Sequence, residues 1–269
     1  WDWSSDGQQL LIHSGESRSD SVFTLIDLNG GAQGENFASP GDFQAPSIGP
    51  QGRYWAYAEK INGRSTLAVV DTHSGERRAY EHVGSLAMSW SPTRHWLAFT
   101  NGSDPLSPFW GPLRLLDIDS QTIRLLSSQT VIAFFWSPDG RYLAFISPGR
   151  ERNDDSVYAG APVKLGRFSR LGSSPTQQPR RGFLTLSVVD VETGQGLRLL
   201  DFQPTATYFT QFLPFFDQYA LSHQIWSPDS SSLVLPVRED DQNWIMIVKA
   251  RGGRPARLAT GEIAFWSHH

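Results

Sequence analysis

The groups in this chain that could do chemistry are aspartates placed at intervals, a few histidines, and two stretches of unusual composition. The aspartates stand in Asp71-Thr72-His73-Ser74-Gly75, in Asp117-Ile118-Asp119-Ser120-Gln121 and before Glu192-Thr193-Gly194. Neighbouring carboxylates of this kind suit general acid–base work. Each, however, precedes a polar turn in which its side chain would bond the backbone two residues on, so a structural role is expected. The seven histidines are scattered; His95 and His223 are the two that a metal-assisted reaction would draw on, and both flank strand ends where packing is expected. There is no His-x-x-x-His, no close carboxylate–His cluster, no Gly-x-Ser-x-Gly and no phosphate-binding glycine signature. Absence of cysteine removes disulfides, thiolate metal sites and Cys nucleophiles together. No catalytic residue, no metal ligand and no cofactor is therefore expected, although a site gathered around an axis would leave no local motif.

The two unusual stretches are 147–182 and 203–220. The first holds seven basic residues (Arg150, Arg152, Lys164, Arg167, Arg170, Arg180 and Arg181) against Glu151, Asp154 and Asp155, a local charge of +4 in a chain of −4. Sign is thus segregated along the sequence. The second packs Tyr208, Phe209, Phe212, Phe215, Phe216 and Tyr219 into twelve positions with Asp217 as its one charge. So many aromatics either fold back as a cap or form a sticky contact surface, where aromatics and arginines are enriched. An interface is the expectation, with docking on a membrane surface as a weaker choice.

Positioning these groups falls to a repeated phrase. Its fullest form is Trp136-Ser137-Pro138-Asp139-Gly140-Arg141-Tyr142-Leu143-Ala144-Phe145. Looser copies start at Trp3, Ile48, Trp90 and Trp226, and a cut-off one at Trp266, so the steps are 45, 42, 46, 90 and 40 residues. A period near 40–45 residues made of short β-runs predicts an all-β propeller of four-stranded antiparallel blades. In the fourth copy a doubly buried strand a over 131–135 leads into a tight Pro-Asp-Gly turn. Strand b follows from Tyr142 to Ile146, strand c from Leu184 to Val191 and strand d from Leu197 to Phe202. Blades are expected over 3–47, 48–89, 90–135, 136–225 and 226–265, with 266–269 starting another.

The pattern W-S-P-D-G-x-x-[LI]-[AV]-[FY], followed by an apolar strand and Asp-x-x-[TS]-Gly, resembles the TolB-type (WD-like) propeller repeat. It covers the chain outside the two insertions; the copy at Ile48-Gly49-Pro50-Gln51-Gly52 departs from it by lacking Trp-Ser. The resemblance implies an extracytoplasmic docking platform. The same repeat also occurs in propellers fused to prolyl-oligopeptidase-like peptidases and in some polysaccharide lyases, so those enzymes are the alternative reading.

Strands alternate in direction, so b–c and d–a loops share one side of a blade. Both insertions, read as the b–c and d–a loops of the fourth blade, and the b–c loop of the third (with Phe109 and Trp110) are expected on that side. The expected partner is a protein, met by Phe109, Trp110, Arg167, Phe168, Arg170, Tyr208, Phe209, Phe212, Phe215, Phe216 and Tyr219. The small net charge argues against nucleic acid, and no run reaches the ~18 apolar residues of a membrane span. The location expected is periplasmic or cell-surface, with any anchor outside this segment. Because the chain opens on a repeat without Met, it is expected to be a trimmed piece of a six- or seven-bladed parent, a five-bladed ring being the alternative.

Overall fold

The computed structural model describes the chain except residues 1, 5–6, 15–21, 29–34, 39–42, 103, 105–106, 108, 150–161, 165–182, 220–221 and 268–269. The described residues form five antiparallel sheets in chain order. The first contains β1 (Asp2–Trp3), β2 (Gln9–Ser14), β3 (Val22–Asp27) and β4 (Glu35–Ala38). The second contains β5 (Phe43–Ile48), β6 (Tyr54–Ile61), β7 (Arg64–Asp71) and β8 (Arg77–His82). β9 (Ser85–Trp90), β10 (Trp96–Gly102), β11 (Gly111–Asp117) and β12 (Thr122–Val131) make the third. The fourth has β13 (Ala133–Trp136), β14 (Tyr142–Pro148), β15 (Pro162–Lys164), β16 (Leu184–Asp190) and β17 (Gln195–Phe202). The fifth has β18 (Ser232–Glu239), β19 (Gln242–Lys249) and β20 (Ala256–Thr260). Two compact units, 1–125 and 126–269, share these sheets.

In the first unit the core lies between successive sheets. Alternate residues of β7 serve two clusters: Leu67 and Val69 pack with Leu86, Met88 and Trp90, while Ala68 and Val70 pack with Leu11, Phe23 and Trp55. A strand buried on both faces reads as the continuous apolar run Leu67-Ala68-Val69-Val70 rather than as an alternation.

The repeated residues hold the turns and tie neighbouring sheets together. Ser137 Oγ accepts the Tyr142 N–H (2.9 Å) and donates to Asp139 (2.5 Å), while Gly140 N–H closes the turn onto the Ser137 carbonyl (2.8 Å). Gly140 takes φ 69°, the left-handed region that glycine enters without cost; its counterpart in the fifth sheet is Ser230, at φ 57°. There Ser227 repeats the arrangement with Asp229 and Ser232. The anchor tryptophan reaches backwards. In the first unit Trp90 Nε1–H donates to the Ser47 carbonyl (3.2 Å), and in the second Trp226 Nε1–H donates to that of Phe135 (3.0 Å). Both acceptors directly precede the previous anchor, and each indole stacks on the tyrosine six residues after that anchor, Tyr54 or Tyr142. The adjoining arginines, Arg53 and Arg141, lie over the same tyrosine rings and pair with Asp71 and Asp190.

Candidate interaction site

In the aspartate turns the carboxylate is already occupied. Asp71 accepts the N–H groups of His73 and Ser74, Asp117 those of Asp119 and Ser120, and Asp190 those of Glu192 and Thr193. Burial opposes the charge on each, but those N–H donors, joined by Arg53 at Asp71, by the Ser120 and Trp96 side chains at Asp117 and by Arg141 at Asp190, outweigh it, and all three carboxyls lie below the ordinary aspartate value. Such carboxylates stay ionised and act as turn caps. His95 pairs with Asp119 (3.2 Å) and packs edge-on to Tyr54; His223 bonds Ser222 (2.7 Å) and sits between Tyr219 and Phe265. Among the described residues no three His, Asp or Glu side chains gather at a point that could hold a metal.

The aromatic stretch has a distinct geometry. β17 ends at Phe202, and the chain at once pairs with β18: Arg238 N–H donates to the Gln203 carbonyl (2.7 Å), and Pro204 bridges Val237. It leaves, returns, and pairs with β18 again at Trp226, opposite Leu233. An unbroken strand in the Trp226–Leu233 register would set Ser222 opposite Val237, the place that Pro204 holds, so eighteen extra residues lie between the two bridges. The sequence placed this segment between strands d and a; it lies between β17 and β18, flanked by isolated bridges to β18 at Pro204 and Trp226. The excursion is helical, with a π turn at Tyr208–Phe212, a 3-10 turn at Leu213–Phe215 and an α turn at Phe216–Tyr219.

Its aromatics divide by exposure. Tyr208 (0%), Phe212 (3%) and Phe216 (3%) are buried, whereas Phe209 (43%), Phe215 (45%) and Tyr219 (37%) are open to solvent. Phe212 stacks on Phe135 (5.8 Å) and meets Phe265 (5.0 Å); Phe216 meets Phe134 edge-on (5.0 Å). The buried three thus form a small core on β13, and desolvation pushes the Tyr208 phenol well above its ordinary range. As ligands for a partner they are excluded by that burial, and what they do is hold Phe209 and Phe215 outward. Thr205 fixes the foot of the excursion by donating to the Glu262 carbonyl (2.5 Å).

Of the other predicted contacts, two belong to the first unit and three lie outside the described residues. Phe109 and Trp110 belong to the first unit, both half-buried. The Phe109 carbonyl accepts Thr100 Oγ1 (2.8 Å), and Trp110 N–H donates to the Ser107 carbonyl (3.1 Å). Arg167, Phe168 and Arg170 lie outside the described residues. Sequence reasoning missed β15, which adds Pro162–Lys164 to the outer edge of β17 against Gln195–Leu197. Pro-Val-Lys amid Gly, Ser and Arg carries too short an apolar signal to be read as a strand. Among the described residues no helix is long and apolar enough to cross a membrane.

No protein-family model matches the chain, and no curated protein is similar to it in sequence. The structural neighbours include TolB. A putative TolB from Agrobacterium tumefaciens is 17% identical, over 96% of this chain and 79% of that one, at a TM-score of 0.48. Dipeptidyl peptidase 4 of Porphyromonas gingivalis is 12% identical over 97% of this chain, with a TM-score of 0.58. This chain spans only 39% of that peptidase, and at such identity the likeness is one of fold. An oligogalacturonate lyase in complex with manganese is 14% identical, over 96% of this chain and 75% of the lyase, at 0.43.

Proposed function

We propose that the five sheets are blades of a TolB-like β-propeller and that the chain is a non-catalytic, extracytoplasmic docking platform for another protein. The observation that carries the reading is the division of the inserted aromatics. Three are spent on a buried core, and the result is a packed helical excursion that offers Phe209 and Phe215 to solvent. Large aromatics on a preorganised support bind with little loss of conformational entropy, which is what interface anchors require. The excursion's sole charge, Asp217, is partly buried, so its exposed surface of aromatic and neutral polar residues carries little charge, which suits a protein partner better than nucleic acid.

The test is capture of a partner from the envelope fraction of the source organism, repeated with the purified partner. Three baits are compared: the unmodified chain, the double variant Phe209→Ser/Phe215→Ser, and Leu258→Ser, which changes an exposed residue of β20. The expected result is one partner held by the first and third baits and lost from the second. Equal retention by all three, or none by any, would remove the reading.

A further inference from the structure

The fourth sheet carries a polar grid where its neighbour is apolar. Ladder pairing sets Phe145, Ser187 and Arg198 in one row and Ser147, Thr185 and Asp201 in the next, all on one face. Their hydrogen bonds run along and across the rows. Thr185 Oγ1 donates to Asp201 (2.6 Å), Arg198 Nε donates to the same carboxylate (3.0 Å), and Arg198 Nη2 also pairs with it. Ser147 Oγ donates to Gln129 Oε1 on β12 (3.0 Å). Over this grid lies a cavity of about 510 Å³ lined by Gln129, Phe145, Ser147, Thr185, Ser187 and Arg198. The corresponding ladder positions of the fifth sheet are Leu235 opposite Met246 and Val237 opposite Trp244. A blade therefore does not need hydroxyls here.

We propose that this cavity binds a neutral saccharide of one or two sugar units. Arg198 and Asp201 neutralise one another, so no net charge selects an ionic ligand. Once Ser147 and Thr185 have donated their protons to Gln129 and Asp201, their oxygens keep lone pairs for incoming O–H groups. The guanidinium and the Gln129 amide supply donors. Sugar hydroxyls, which both give and accept, match this alternation of acceptors and donors. Phe145, on the same face as the hydroxyls, supplies apolar lining for the ring C–H face. The volume lies within the range of small-molecule sites. Ser147, Thr185 and Ser187 are buried hydroxyls, and a ligand that pairs with them discriminates sharply against one that does not.

The experiment is isothermal titration of the purified chain with maltose, cellobiose and N,N′-diacetylchitobiose, with inorganic phosphate as competitor. Saturable binding of at least one disaccharide is expected, undisturbed by phosphate. Arg198→Ala and Thr185→Val should each weaken it by about tenfold or more, the effect of losing one good hydrogen bond at a buried site. Ser187→Ala, which removes a single oxygen, gives the same reading if either variant fails to fold, and Phe209→Ser should bind as the unmodified chain does. No saturable binding of any disaccharide at millimolar concentration would overturn the proposal. So would displacement by phosphate, or unchanged affinity in the folded variants.

Discussion

The fourth and fifth sheets receive the same phrase and use it differently. In the fourth, β13 is continuous from Ala133 to Trp136, and one sheet face is polar. In the fifth, isolated bridges at Pro204 and Trp226 stand where that strand would run, with the aromatic excursion between them, and the matching face is apolar. What the two share is the Trp-Ser-Pro turn with its serine and aspartate. The shared residues make the scaffold, and the individual character of each sheet lies in what departs from them. Trp226 is the plainest case of a shared residue. Its ring is buried, stacks on Tyr142 and donates to Phe135. Trp226→Ala should cost about 3–5 kcal/mol through cavity formation and the orphaned carbonyl. Trp3, which is 37% exposed, should lose less than about 1 kcal/mol on the same change. Urea midpoints at unchanged slope would measure both. Equal losses would mean that an anchor's burial does not set what it contributes.

The insertion supplies a second test of the contrast. Phe212→Ala removes a ring packed on Phe135, Tyr208, Tyr219 and Phe265, and should cost about 3 kcal/mol. Phe209→Ser, on the same excursion, should change stability by less than about 0.5 kcal/mol. If Phe212→Ala leaves the midpoint unmoved while amide exchange rises over 205–223, the excursion unfolds separately and its core is not part of the sheet's.

The all-β class and the antiparallel sheets were legible because period and turn chemistry are local. Pro138 and Gly140 announce their turn, Tyr142 to Ile146 announces its strand by an unbroken apolar run, and Leu184 to Asp190 by Leu and Val alternating with Thr and Ser. The site was less so. Six aromatics within twelve residues signal burial or contact, but which of them turn inward depends on Phe134, Phe135 and Phe265, far away in sequence. Nor could the position of the break be read, because Gln203-Pro204 has no strand signature; its pairing with Val237 comes from β18. The polar grid was illegible for a related reason. Ser147, Thr185, Ser187 and Asp201 are ordinary residues until strand register puts them side by side.

Acid should separate the turn carboxylates from the rest of the structure. In the fifth sheet, hydrogen bonds from Ser227 and Ser231 lower Asp229 to about 2, and Asp71, Asp117 and Asp190 are also lowered. A lowered carboxyl contributes stability that is complete above its unfolded value, near 3.8, and is lost as pH falls through the folded value. Stability should therefore decline between roughly pH 4 and pH 2, and Asp190→Asn should flatten that decline while lowering the neutral-pH plateau. An acid limb of unchanged steepness in the variant would show that the cap at Asp190 adds nothing.

Asp217 should behave with the opposite sign. It sits in the α turn of the excursion, where burial raises its carboxyl above the ordinary value and the N–H groups of Gln218 and its own residue only partly compensate. A raised carboxyl imposes a penalty that is absent below the unfolded value and complete above the folded one. At neutral pH the ionised form thus works against the excursion that holds Phe209 and Phe215. Asp217→Asn keeps the shape, removes the charge and should raise the melting temperature slightly at pH 7. That gain should shrink to nothing as pH falls towards 4, whereas the loss caused by Asp190→Asn should stay whole down to about pH 4 and shrink only below it. The two substitutions together would then tell whether charge is used alike in scaffold and insertion. If Asp217→Asn instead lowers the melting temperature at pH 7, its carboxylate is held as an ion, and the excursion is anchored by charge as the turns are.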